Sequence, residues 1–178
     1  MNGYVVLLRA INVSGHHIIR MKDLLVSLSS LGYQNIQTYL QSGNVIFESE
    51  NNDITQIKEQ IRDKILNDFG HDITVMVFFE KYFIEVYQNN PLLKQMDIDK
   101  KKLYVAFLNT SPDQALLSEI VKNIPEIIIM VDKILYVYYT NGYGRTKVNN
   151  NYFEKRLKVI ATTRNWNTVS NIYQKLRN

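Results

Sequence analysis

The spacing of apolar residues switches between strand-like and helix-like patterns twice along the chain. Residues 4–12 form a nearly continuous apolar run, which is typical of a strand buried on both faces. Residues 21–31 place apolar side chains three and four positions apart, as one face of a helix does. A longer stretch of this kind over 54–69 begins after Asp53, a good cap, and ends at Gly70.

Strand-like segments separate these two helices and follow them. Residues 36–47 place alternate side chains on one face, as a strand does, and are interrupted by Ser42-Gly43, a pair suited to a hairpin turn. Residues 73–79 are again mainly apolar. The first half therefore predicts the order β-α-β-β-α-β.

The second half repeats this order with different residues. It predicts a strand at 103–108, a helix from Ser111, a hairpin through Asp132-Lys133, a short helix, a short strand and a final helix at 167–176. Two copies of a split βαβ unit predict an α+β fold, a ferredoxin-like duplication with antiparallel sheets and a C-terminal helix. The predicted domains are a first copy at 1–80, a connector with a short helix at 81–101, and a second copy at 102–178.

Composition narrows the class of protein. The chain has 178 residues, is 46% hydrophobic and 21% charged, and contains no cysteine. These values are typical of a globular domain and exclude disulfides, cysteine nucleophiles and cysteine-ligated metals. The N-terminal apolar run is too short for a signal peptide, and no stretch approaches the length of a membrane span. We therefore expect a cytoplasmic protein without a membrane partner.

Basic residues are concentrated in the second half. Residues 1–100 carry nine basic and twelve acidic side chains, whereas residues 101–178 carry twelve and five. Such an excess attracts phosphate, nucleic acid or acidic partners, although a solvated surface with a chance imbalance has the same composition. The oligomeric state stays open.

Most catalytic and metal-binding patterns are absent from the sequence. His16 and His17 are adjacent and His71 is distant, without the spacing of a zinc motif, so we expect no metal site. A nucleophile elbow is also absent, and nothing indicates a cofactor. The rival hypothesis of an enzyme therefore lacks a convincing general base.

Two arginines lie in unusual places. Arg9 falls within the first apolar run, where a buried guanidinium needs a partner. Arg164 follows a predicted strand that ends near Thr162 or Thr163, so it is expected at the start of the last helix, where the macrodipole disfavours a cation. Each could hold an anion, and each could equally form a structural ion pair.

A glycine-containing loop provides further candidate ligands for an anion. Gly142 and Gly144 precede Arg145, Thr146 and Lys147, and glycines let backbone N–H groups approach a phosphate closely. The loop matches neither a Walker A motif nor a Rossmann fingerprint. The alternative is a plain turn after a strand.

Three blocks of the sequence resemble a known family. The stretches YVVLLRAINVSG, TYLQSGNVIF and TTRNWNTV are similar to the signature blocks of the bacterial family of unknown function numbered sixteen-ninety-seven. The resemblance implies a duplicated α+β fold and no particular reaction. The family usually has glycine where this chain has Ala10 and Ser14, and serine where it has Thr146.

The leading hypothesis is a protein that binds a phosphate-bearing small molecule, nucleotide or nucleic acid in one basic cleft. An enzyme acting on a small phosphorylated or acidic substrate and a ligand-free protein-interaction module are the alternatives. The residues predicted to line the cleft are Arg9, Asn12, Ser42, Asn44, Arg145, Lys147, Arg164, Asn165, Trp166 and Thr168.

Overall fold

A computed structural model describes residues 1–13, 15–94 and 98–177. The chain divides into two compact units, Met1–Glu85 and Val86–Asn178. Within the described ranges, no helix is both long enough and apolar enough to cross a membrane.

The first unit contains one antiparallel sheet of four strands, in the order β2-β3-β1-β4. Its elements are β1 (Asn2–Leu8), α1 (Met21–Ser29), β2 (Gln34–Tyr39), β3 (Asn44–Ser49), α2 (Ile54–Phe69) and β4 (Val75–Phe79). A further helix, α3 (Glu80–Gln88), follows β4 and contains the boundary between the two units.

The second unit has a sheet of the same topology, in the order β6-β7-β5-β8. Its elements are β5 (Leu103–Leu108), α4 (Gln114–Lys122), β6 (Ile127–Val131), β7 (Ile134–Tyr138), α5 (Asn150–Leu157), β8 (Ala161–Asn165) and α6 (Trp166–Arg177). The predicted α+β fold, its duplicated order and its C-terminal helix are therefore confirmed.

The central strand of each sheet is buried on both faces. Residues 4–8 of β1 and every residue of β5 except Tyr104 are almost inaccessible to solvent. In the second unit, Ala106 and Leu108 pack in the cluster that includes Leu117 of α4 and Phe153 of α5, whereas Val105 points to the opposite face. Each large apolar side chain buried in this way contributes roughly 1.5–3 kcal/mol to folding.

The ends of several elements follow local chemistry. Asp53 caps α2 by accepting hydrogen bonds from the N–H groups of Thr55 and Gln56, and Gly70 ends it in a left-handed conformation, as the sequence predicts. The sequence predicts that the second-unit helix starts at Ser111 and that Ser111 caps it, and this prediction of the cap is wrong. Asp113 takes this role, because its carboxylate accepts from Ala115 N at 2.6 Å.

Two strands end at residues other than those that the apolar pattern predicts, and this changes the surroundings of two candidate site residues. Strand β1 ends at Leu8, so Arg9 follows the strand and does not lie in its middle. Strand β8 continues to Asn165, so Arg164 belongs to a strand and not to the start of a helix. In both places backbone pairing with neighbouring strands, which the local sequence does not encode, decides where the strand stops.

The turn between β2 and β3 is longer than the two residues predicted and spans residues 40–43. Gly43 is buried there at φ 71°, beneath Ile11. A Cβ atom on Gly43 would lie 2.5 Å from Ile11 Cδ1 and 2.9 Å from Leu8 Cβ. Both the backbone angle and the close packing therefore require glycine.

We expect Gly43→Ala to lower the free energy of unfolding by about 2–4 kcal/mol, because strain at positive φ adds to steric overlap. The matched control is Gly70→Ala, where φ is 70° in the left-handed region but nothing lies within 4 Å of the new Cβ. This control should cost only about 1 kcal/mol. Denaturant unfolding of both variants measures the difference, and equal losses would contradict the steric part of the argument.

Candidate functional site

The strand register of the second unit brings several basic segments to one end of its sheet. Leu103, the first residue of β5, pairs with the last residue of β7, and Tyr104 pairs with Asn165, the last residue of β8. The segment before β5, the loop after β7 and the start of α6 therefore meet at this end. Lys102 reinforces the arrangement by donating from Nζ to Thr140 O at 2.9 Å.

A groove of about 570 Å³ opens at this end of the second unit. Among the described residues that line it, two are basic and none is acidic. The lining residues are Tyr87, Lys100, Lys101, Asn165, Trp166, Asn167, Ser170 and Gln174. The described lining residues therefore carry a net positive charge, and the first turn of α6 adds the positive end of a helix dipole to the groove.

Asn165 and Trp166, both predicted site residues, lie in the wall of this groove. Asn165 Oδ1 accepts a hydrogen bond from Thr168 N at 2.7 Å and so caps α6. The cap uses the side-chain oxygen, so the amide nitrogen is the part of the Asn165 side chain that could donate to a ligand. Thr168 itself is 4% exposed, so its contribution is to the cap.

Trp166 belongs to an aromatic stack that fixes the wall of the groove. Its ring is parallel to that of Tyr87 at a centroid distance of 5.0 Å, and Tyr87 stacks on Tyr173 at 4.0 Å. Trp166 and Tyr173 are two turns apart on α6, about 10 Å along its axis, which leaves room for one ring between them. The tryptophan is 3% exposed, so it supports the wall of the groove and offers little surface to a ligand.

Arg164 is buried in β8 beside the groove. Its Nη1 donates to Thr162 Oγ1 at 2.9 Å and to Thr163 O at 3.1 Å. Burial lowers the pKa of the guanidinium to about 10, and the nearby Tyr143 hydroxyl acts in the opposite direction. The group therefore remains a cation at neutral pH. Its contacts support the strand that leads into α6.

Arg145 and Lys147 are exposed in the loop after β7, and the residue between them anchors that loop. Thr146 donates from Oγ1 to Glu126 Oε1 at 2.5 Å and accepts from Val148 N at 2.9 Å. Glu126 is 5% exposed, and no described residue hydrogen-bonds its other oxygen, Oε2. The conformation of the basic loop thus depends on one buried carboxylate.

Three tyrosines pack against one another, and Tyr139 among them is close enough to Glu126 to interact with it electrostatically. Tyr104 stacks on Tyr143 at 4.7 Å, and the Tyr139 ring meets both edge-on. Burial raises the pKa of the Tyr139 hydroxyl, with smaller contributions in the same direction from Tyr143, Glu126 and Tyr104. This hydroxyl stays protonated at neutral pH and keeps the space beside the carboxylate polar.

In the first unit, Arg9 and Asn12 lie in the loop that leaves the C-terminal end of β1. Arg9 is half-buried, and its backbone N–H donates to Thr74 O at 2.9 Å. Asn12 uses its whole amide within the loop region. Its Nδ2 donates to Ile19 O and Gln41 O, both at 2.9 Å, and its Oδ1 accepts from Ile19 N at 2.8 Å. Asn12 therefore fastens this loop to the β2–β3 turn.

Ser42 belongs to that turn, and Asn44 is the first residue of β3. Asn44 is fully buried, and its Nδ2 donates to Tyr39 O at 2.7 Å and to Ser42 Oγ at 3.0 Å. The four predicted residues of the first unit thus share the end of the sheet where β1 stops. Those of the second unit lie where β5 starts. The single cleft predicted from both copies stays a prediction.

Lys100 and Lys101 are groove residues that the motif analysis missed. The available signal was the charged run Asp99-Lys100-Lys101-Lys102, which the sequence suggests is only a connector. Asp99 caps a 3-10 turn over Lys100–Lys102 and so directs this run into the start of β5. A run of charged residues immediately before a central strand can therefore contribute to a groove, even where its composition suggests only a connector.

A family model described as "Protein of unknown function (DUF1697)" matches residues 1–136. The chain belongs to this family. Among solved structures, it is similar to the conserved bacterial protein SP0830 from Streptococcus pneumoniae, with 22% sequence identity, a TM-score of 0.75 and coverage of 98% of both chains. This likeness supports the fold alone. No curated protein matches the chain significantly.

Two of the three positions where this chain departs from the residues implied by the family resemblance have a physical explanation. Ala10 has φ 57°, a conformation that glycine adopts without strain. At position 146, threonine retains the hydroxyl that the usual serine would offer to Glu126. The remaining departure, Ser14, lies outside the described residues. Backbone conformation, rather than close approach of a ligand, is therefore sufficient to explain a glycine at position 10.

We expect Ala10→Gly to raise the free energy of unfolding by about 0.5–1 kcal/mol, because relief of strain at positive φ exceeds the entropy cost of glycine. The control is Ala115→Gly in the exposed part of α4, which should lower it by about 1 kcal/mol. Denaturant unfolding distinguishes the two signs. A loss of stability in both variants would contradict the conformational argument.

We expect Thr146→Val to lower the free energy of unfolding by about 2–3 kcal/mol, because the buried Glu126 carboxylate loses a hydrogen bond. Thr146→Ser keeps the hydroxyl and should cost less than about 1 kcal/mol. Thermal and denaturant unfolding measure both. Equal stability of the valine and serine variants would show that this hydrogen bond does not stabilise the loop.

Proposed function

We propose that the second unit binds a phosphate-bearing ligand in the groove at the start of α6. The observation that carries the proposal is the composition of the groove: Lys100 and Lys101 line it, and none of its described lining residues is acidic. A phosphate would replace the water around these ammonium groups and complement their charge. The alternative of an enzyme has no comparable support, because the described lining residues include no carboxylate or histidine that could act as a base.

The first turn of α6 would supply directional hydrogen bonds. Asn165, Trp166 and Asn167 line the groove, so the start of the helix and its dipole face the proposed ligand. Asn165 Nδ2 and the Asn167 side chain are further donors. Arg145 and Lys147 belong to a loop at the same end of the sheet, so they would attract an anion over a longer range.

Arg164 and Thr168 have supporting roles in this proposal. Both are buried, and their hydrogen bonds hold β8 and the cap of α6 in place. The ligand would therefore contact lysine ammonium groups, amide side chains and backbone N–H groups. A cytoplasmic location, where phosphorylated metabolites and nucleic acids are abundant, is part of the same proposal.

The single tryptophan of the chain, Trp166, lines the groove and gives a direct reporter of binding. We expect its fluorescence to change saturably when inorganic pyrophosphate, ATP or a single-stranded oligonucleotide is added at low salt. The double variant Lys100→Ala/Lys101→Ala should weaken binding by more than about tenfold, because two charge-assisted contacts are lost. Added salt should weaken binding of the oligonucleotide most steeply.

The matched control is Lys122→Ala/Lys155→Ala, which removes the same charge from α4 and α5. This control should bind within about twofold of the wild type if contacts in the groove matter more than net charge. Equal weakening of ligand binding in both double variants would show that the lysines act only through the net charge of the protein. The absence of a saturable response to all three probes would reject the proposal.

A further inference from the structure

Two histidines from separate loops of the first unit lie side by side. His17 belongs to the loop between β1 and α1, and His71 follows the C-terminus of α2. Their ring centroids are 5.2 Å apart, and the ring planes are inclined by 57°, so the rings are not stacked. The fold thus joins two imidazoles that the sequence separates by more than fifty residues.

The surroundings of His17 fix one ring nitrogen and leave the other available. Its Nδ1 lies 3.2 Å from Ala10 O, and its backbone carbonyl accepts from Asn12 N at 3.2 Å. A carbonyl oxygen can only accept, so Nδ1 carries the hydrogen in this contact and Nε2 keeps its lone pair. Histidines that bind metals commonly donate their second nitrogen to a backbone carbonyl in this way.

His71 is held from both sides along the chain. Gly70 precedes it in the left-handed conformation that ends α2. Asp72 follows it, and its carboxylate accepts two hydrogen bonds from Arg62, at 2.7 and 2.8 Å. These contacts flank His71 on both sides, and any restraint that they place on the chain lowers the entropy cost of holding two ligands together.

The separation of the rings matches coordination of one ion. Two imidazole nitrogens that bind a tetrahedral zinc ion at about 2.0–2.1 Å place their ring centroids about 5 Å apart. The observed 5.2 Å agrees with this value.

We propose that His17 and His71 form a binding site for a divalent transition-metal ion of the zinc, nickel or copper class, which imidazole ligands favour. In the described parts of the chain, no group of three or more His, Cys, Asp or Glu side chains is placed to hold a metal. The pair therefore supplies two ligands, and water or an exogenous ligand completes the coordination. This proposal departs from the expectation of no metal, which rested on spacing along the sequence alone.

The test uses Cu²⁺ with the intact protein, because the spectrum of this ion counts nitrogen ligands. We expect one Cu²⁺ per chain in equilibrium titration and a nitrogen superhyperfine pattern from two imidazoles in electron paramagnetic resonance. His17→Gln and His71→Gln should each weaken binding by more than about tenfold and reduce the pattern to a single imidazole.

The matched control is His16→Gln, which removes the neighbouring exposed imidazole from the same loop. It should leave both the affinity and the spectrum unchanged. Circular dichroism checks that each variant is folded, and the wild-type spectrum decides the question even if one variant is not. Fewer than two nitrogen ligands in the wild type, or equal weakening in His16→Gln, would overturn the proposal.

Discussion

The antiparallel pairing of one central, doubly buried strand with two neighbours determines where each unit can carry function. In the second unit, β5 pairs with β7 and β8, and this register alone brings the residues before Leu103 next to those after Asn165. A slip of one residue would turn the apolar faces of β5 towards the wrong layers, so the register is strongly fixed. The groove at the start of α6 is a direct consequence.

The two copies use opposite ends of the same topology. In the first unit the polar residues gather where β1 ends, around Asn12 and the β2–β3 turn, and their hydrogen bonds are directed mainly at backbone carbonyls. In the second unit they gather where β5 begins, around Lys100 and Asn165, and leave donors directed at solvent. The two units thus share a sheet topology and differ in the chemistry at their ends.

Periodicity predicts the order of the elements because burial imposes it directly on the sequence. The stripe of Ile57, Ile61 and Ile65 identifies α2, and these residues are fully buried. The placement of Arg164 escaped prediction because a buried arginine in an edge strand is visible only once the neighbouring strands are known. The same holds for His17 and His71, whose proximity depends on the loops that follow β1 and α2.

The cations of the second unit have two different roles. Buried Arg164 stabilises the framework of the site, whereas exposed lysines are able to bind a ligand. Burial removes much of the hydration of Arg164 and lowers its pKa to about 10, and its hydrogen bonds to Thr162 and Thr163 offset part of that cost. Lys100 and Lys101 are exposed and keep their hydration until a ligand displaces it. Their attraction is weaker at each contact and is screened by salt, but it acts over roughly a Debye length of 8–10 Å. A ligand would therefore be captured by the lysines and positioned by a framework that the buried arginine stabilises.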